Sequence, residues 1–100
     1  MKSTLPPPTA AYRRLQQQIA GLDWVCAGSV QRRQQFGGRK LRRPVYQWTR
    51  KVRGKTVTVS LTADQYRGLR AAIARQRRLT RLILAMQQLT IEAVFRAASN

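Results

Sequence analysis

Between Val45 and Leu61 the chain alternates with a period of two. Tyr46, Trp48, Arg50 and Val52 fall on one parity and Gln47, Thr49 and Lys51 on the other. After Arg53-Gly54 the alternation resumes, with Val57, Val59 and Leu61 set against Thr56, Thr58 and Ser60. This is the pattern of strands with one face buried. A two-residue loop at Arg53-Gly54 predicts Val52 opposite Lys55, Lys51 opposite Thr56, Thr49 opposite Thr58 and Gln47 opposite Ser60. Tyr46 then faces Leu61, Trp48 faces Val59, and Arg50 faces Val57. A slip of one residue would mix the faces, so the pattern specifies the register. The mainly apolar side needs a cover.

The last third of the chain can provide one. Thr62-Ala63-Asp64-Gln65 reads as a capping box, with Asp64 where a helix dipole favours a negative charge. No proline follows, and only Gly68 weakens the segment from Ala63 to about Ala98. One helix of roughly 35 residues and about 50 Å is predicted. Tyr66, Leu69, Ile73, Leu79 and Ile83 share one broad face, whose first turns are expected on the hairpin. After Arg81 the character changes: "LILAMQQLTIEAVF", residues 82–95, carries one charge, Glu92, and is apolar on most sides. This end is expected to pack on the N-terminal helix and on another copy or a larger protein, with Leu82, Met86, Leu89, Val94 and Phe95 as partner-binding residues. A break near Gln87 and Gln88 is the alternative, although no Gly or Pro marks it.

Upstream, "LPPP" at 5–8 is a stiff lead that cannot enter a helix. Thr9 can cap a first helix over residues 10–20, where Tyr12, Leu15 and Ile19 recur at helical spacing and Gly21 follows as a stop. Residues 24–36, "WVCAGSVQRRQQF", read as an outer strand, with Val30 and Phe36 on one parity and Gln31, Arg33 and Gln35 on the other. "GGRKLRR", 37–43, reads as a flexible charged loop, either a solvated connection or a clamp on a phosphate backbone. The expected fold is α+β in a single domain of 100 residues: a Pro-rich lead over 1–9, a short N-terminal helix and a three-stranded antiparallel sheet over 10–61, and a long C-terminal helix, basic then apolar, over 62–98.

Charge turns this outline towards a partner. Twenty Lys and Arg face three acids, a net charge of +17. That excess repels itself unless a polyanion neutralises it, so nucleic acid is the expected partner. Sixteen of the twenty are arginines, whose planar fork suits phosphate and guanine, although a GC-rich genome also enriches arginine. Arg67, Arg70, Arg77, Arg78 and Arg81 gather on one flank of the long helix. On the sheet, Gln31, Arg33, Gln47, Thr49, Lys51, Thr56 and Thr58 form a face that either reads base edges or is ordinary solvent surface. The candidate nucleic-acid-binding set is Arg32, Arg33, Arg39, Lys40, Arg42, Arg43, Gln47, Thr49, Lys51, Arg53, Lys55, Thr58, Arg67, Arg70, Arg77, Arg78 and Arg81.

The stretches "GSVQRRQQFGG" and "RRPVYQWTRKVRGKTVTVSLTADQYRGLRAAIARQRRLTRLI" resemble a family of small, uncharacterised prokaryotic basic domains with a Gly-Ser strand, an aromatic strand, a "GKT" hairpin and a long helix. The resemblance covers roughly residues 28–90. Members often carry a cysteine-rich loop after the first strand, implying a metal knuckle; "FGGRKLRR" has no cysteine, so no metal role carries over. Their occurrence beside mobile-element genes implies DNA. The layout of three strands backed by a helix is also similar to integrase arm-binding domains and some plant transcription-factor domains, which lay a sheet in the major groove.

Catalysis has no parts here. Histidine is absent, and Asp23, Asp64 and Glu92 are scattered along the chain. No paired carboxylates, P-loop or nucleophile elbow is present, and Tyr12, Tyr46 and Tyr66 sit on expected apolar faces. Cys26 stands alone, which excludes a disulfide framework and a thiolate metal site. The expectation is a cytoplasmic accessory subunit, not an enzyme, with no cofactor and no membrane segment. DNA is preferred to RNA as partner, and a protein scaffold built on the uncharged helix end is the other class.

Overall fold

The computed structural model describes residues 5–34, 36–37, 40–41 and 43–98. Along the chain lie α1 (Ala10–Ala20), β1 (Ser29–Arg33), β2 (Phe36–Gly37), β3 (Lys40–Leu41), β4 (Val45–Val52), β5 (Lys55–Leu61) and α2 (Ala63–Ala98). The fold is α+β: a short helix, a three-stranded antiparallel sheet of order β1-β4-β5, and a long C-terminal helix. The chain divides into two compact units. One joins the residues up to Leu22 with those from Arg77 onward; the other runs from Asp23 to Gln76. Spatial grouping thus differs from chain order, because α1 belongs with the distal half of α2 and not with the sheet.

In the sheet unit the predicted hairpin register holds at every pair from Tyr46↔Leu61 to Val52↔Lys55. Arg53 and Gly54 both have positive φ, 51° and 81°. Two left-handed residues give the turn a twist that matches the strands, and glycine takes the second position without strain. β1 joins the other edge of β4, pairing Ser29 with Thr49 and Arg33 with Val45. α2 starts at the predicted capping box: the Thr62 hydroxyl accepts from Gln65 N–H at 3.1 Å, and Gln65 Oε1 accepts from Thr62 N–H at 2.8 Å. Tyr66 on the first turns meets Tyr46 with ring centroids 4.8 Å apart. Ala72 and Ile73 are buried, so this unit's core lies between α2 and the apolar side of the sheet.

Two expectations upstream are corrected. The outer strand runs from Ser29 to Arg33, not from Trp24 to Phe36, and Phe36 belongs to β2. Residues 24–28 dock on α2 instead of pairing with β4: Cys26 N–H donates to Ala72 O at 3.2 Å, and Arg75 Nη1 donates to Trp24 O at 3.2 Å. Gly28, with φ of 101°, then turns the chain into the sheet. A Cβ there would lie 2.6 Å from Thr49 O and 2.7 Å from Trp48 Nε1, so only glycine permits this approach. The segment expected as a loop over 37–43 contains an antiparallel pair, Phe36↔Leu41 and Gly37↔Lys40.

In the helical unit Thr9 caps α1, its hydroxyl accepting from Tyr12 N–H at 3.2 Å. Gly21 ends the helix, its N–H donating to Gln17 O at 3.1 Å. Arg78 Nη2 donates to Gln18 Oε1 at 3.2 Å, and residues 5–9 lie near Leu89 and Ala93, so α1 runs antiparallel to the distal half of α2. No break occurs at Gln87 or Gln88, and α2 is one helix of 36 residues. Leu82 is buried, with 8% of its surface exposed.

Candidate nucleic-acid interface

Strand parity sorts the candidate residues onto the two sides of the sheet. Pairing Gln31 with Gln47, Thr49 with Thr58, and Lys51 with Thr56 places Gln31, Arg33, Gln47, Thr49, Lys51, Thr56 and Thr58 on the sheet side away from Tyr46 and Tyr66. All of them are exposed or half-buried. Across β4 and β5 the Thr49 and Thr58 hydroxyls lie 3.1 Å apart, one donating to the other. On β1 the Arg33 guanidinium donates twice to Gln31 Oε1, at 3.2 and 2.9 Å, which holds its charge over the strand. The result is a shallow surface of amides, hydroxyls and cations.

Arg32 does not belong to it. It pairs with Tyr46 and so falls on the opposite side. Arg50 is also on that opposite side, its guanidinium carbon 3.9 Å from the Trp48 ring centroid. Trp48 is half-buried and donates its indole N–H to Ala27 O at 3.0 Å. With its N–H bonded and a guanidinium on its ring, Trp48 is a structural residue and not a free stacking platform. Arg53 and Lys55 are exposed at the hairpin tip and Arg43 ahead of β4. The side chains of Arg39, Lys40 and Arg42 lie outside the described residues.

The helical candidates divide between the two units. Arg67 and Arg70 are exposed in the sheet unit, and Arg67 pairs with Asp64. Arg77, Arg78 and Arg81 are exposed in the helical unit, where the Arg78 side chain is committed to Gln18 and those of Arg77 and Arg81 make no hydrogen bond to any described residue. The Arg67–Asp64 contact is the one ion pair among the described residues. Searches against protein families, curated proteins and solved structures find no match.

The expected partner face needs one correction and one addition. Leu82 faces inward, so it is not available to another chain; Met86 and Leu89 are half-buried, while Val94 and Phe95 are exposed. Leu84, Ile91 and Ile83 are exposed as well, although the sequence pattern placed Ile83 on the inner face and gave Leu84 and Ile91 no partner role. Tyr12, Ile19, Ile83, Met86 and Ile91 line a groove of about 460 Å³ between α1 and the distal half of α2. Spacings of seven from Leu84 to Ile91 and four from Ile91 to Phe95 are a signal for one exposed apolar side of α2. In a helix apolar on most sides that signal was indistinguishable from the one that marks the buried side. Trp24 was missed as well. It is 81% exposed, and the sequence reading had absorbed it into a strand.

Proposed function

We propose that this protein is a nucleic-acid-binding accessory subunit that holds duplex DNA by charge. The observation that carries this reading is the unneutralised cationic surface: a net charge of +17, and among the described residues a single ion pair. Exposed arginines without carboxylate partners repel one another, and a phosphate backbone relieves that repulsion while releasing its condensed counterions. The open sheet face supports contact with a groove, since Gln, Thr, Lys and Arg are the side chains that bond base edges and a β-ribbon fits the major groove. DNA is preferred to RNA on the strand aromatic: Trp48, the residue that would stack bases on a sheet, is occupied by Arg50. The test is a salt titration. Six to ten phosphate contacts imply a fall in affinity of about 10³ to 10⁵ between 50 and 200 mM salt. A flat response would refute the reading.

Oligomerisation belongs to the same proposal. A chain this basic meets another copy of itself most easily where it carries no charge, and Ile83, Leu84, Gln87, Ile91 and Val94 form such a seam on α2. Two copies packed antiparallel about Gln87 and Gln88 set Leu84 of one against Ile91 of the other and bury both, in the isologous manner of a two-fold dimer. Sedimentation of nucleic-acid-free protein should show a dimer; a monomer shifts the seam to a different protein.

A further inference from the structure

Trp24 is held in an unusual way for so large an apolar residue. It lies between α1 and β1, in neither helix nor strand, and its side chain is 81% exposed. Its main chain is nonetheless pinned: Trp24 N–H donates to Asp23 Oδ1 at 3.0 Å, its carbonyl accepts from Arg75 Nη1 at 3.2 Å, and two residues on Cys26 N–H donates to Ala72 O at 3.2 Å. A floppy loop exposes a tryptophan by default, whereas a loop anchored at three points on itself and on α2 presents it. No ring or guanidinium among the described residues stacks on this indole, in contrast to Trp48 under Arg50. Leaving an indole in water forgoes one of the largest apolar burials available to any side chain. A ligand that covers the ring would recover it.

The setting selects the ligand. From Asp23 to Gln76 thirteen Lys and Arg stand against two acids, Asp23 and Asp64, an excess of eleven positive charges. An apolar protein partner would have to be desolvated against that charge. A bilayer would have to accept the Asp23 carboxylate next to the inserted ring, with Val25 as the only further exposed large apolar side chain among the described neighbours in 23–28. A nucleobase asks for neither: it is a flat π-surface carried on a phosphate, and Arg75 keeps N–H donors for that phosphate after bonding Trp24 O. We infer that Trp24 is a stacking site for an unpaired nucleobase, in a single strand or beside a duplex end. The inference rests on the nucleic-acid reading above and adds a ligand class that the charged surfaces do not specify.

The test uses full-length protein with three probes: a blunt duplex, a single-stranded oligonucleotide of one of its strands, and vesicles of anionic phospholipid. Trp24→Ala should lose between roughly 5- and 150-fold in affinity for the single strand and remain at wild-type affinity on the blunt duplex. Trp24→Phe should keep most of the single-strand affinity, because a phenyl ring still stacks. The single strand should quench the tryptophan emission of wild type, and the quench should vanish in Trp24→Ala; circular dichroism checks that both variants fold, as an exposed side chain allows. Wild-type duplex binding together with an unchanged single-strand affinity in Trp24→Ala overturns the stacking site and leaves the nucleic-acid reading standing. Binding of neither nucleic acid by wild type overturns both. An emission blue shift with vesicles and no quench by the oligonucleotide reassigns Trp24 to a lipid surface and overturns the base.

Discussion

The two cationic surfaces differ in what they can do, and paired substitutions separate them. Arg77 and Arg81 are exposed on α2 and their side chains make no hydrogen bond to any described residue, so Arg77→Gln with Arg81→Gln removes two charges while keeping good helix propensity. If both arginines contact phosphate, the slope of log affinity against log salt falls by about 1.8. Extrapolated from 1 M, that is about a 30-fold loss at 0.15 M salt, and between 50 and 200 mM the gap between wild type and variant narrows about 12-fold. Thr49→Val with Thr58→Val is the counterpart on the sheet. It removes the two hydroxyls that lie 3.1 Å apart, a cross-strand pair worth about 0.2 to 1 kcal/mol, and the β-propensity of Val offsets part of that loss. A base-reading sheet should then lose about 1 to 3 kcal/mol of sequence discrimination per contact with its salt slope unchanged. Fluorescence anisotropy on a preferred and a scrambled duplex, repeated at four salt concentrations, measures both. An unchanged slope in the Gln pair refutes phosphate contact by the helix. A Val pair that matches wild type on both duplexes shows that the sheet face is solvent surface.

Three further outcomes test the fold that carries these surfaces. Gly28→Ala forces a left-handed φ on a residue with a Cβ and drives that Cβ into Thr49 O, so it should cost about 3 kcal/mol or more in a urea melt and perturb Trp48 emission. Gly68→Ala, where a Cβ meets nothing within 4 Å, should stabilise the protein by about 1 kcal/mol, read as a rise in Tm of roughly 4 to 8 °C. Leu84→Glu should convert a nucleic-acid-free dimer to monomer in sedimentation without changing helix content, since the side chain is 58% exposed in the single chain. A dimer that survives this change removes the seam from the interface.

What the sequence determined by itself was whatever local hydrogen-bond geometry dictates. The hairpin register follows from a period of two and a two-residue turn, and a one-residue error would have turned Trp48 and Val59 into the polar face. The capping box set the start of α2, and the lack of Pro and of any second Gly after Gly68 kept it unbroken to Ala98. Net charge came from counting. Tertiary structure decided the rest, because it depends on partners distant in the chain. A helix apolar on most sides does not announce which side its neighbour will take; α1 docks along the distal half of α2, and Leu82 is inside while Leu84 and Phe95 are outside. "WVCAG" looked like strand because it is apolar, yet Cys26 N–H finds its acceptor on Ala72 of α2, and that bond leaves the Trp24 ring in water. Arg32 follows parity onto the Tyr46 side, away from the polar face, once β1 takes its register on β4. Each of these placements turns on a pairing between segments that no periodicity within either segment encodes.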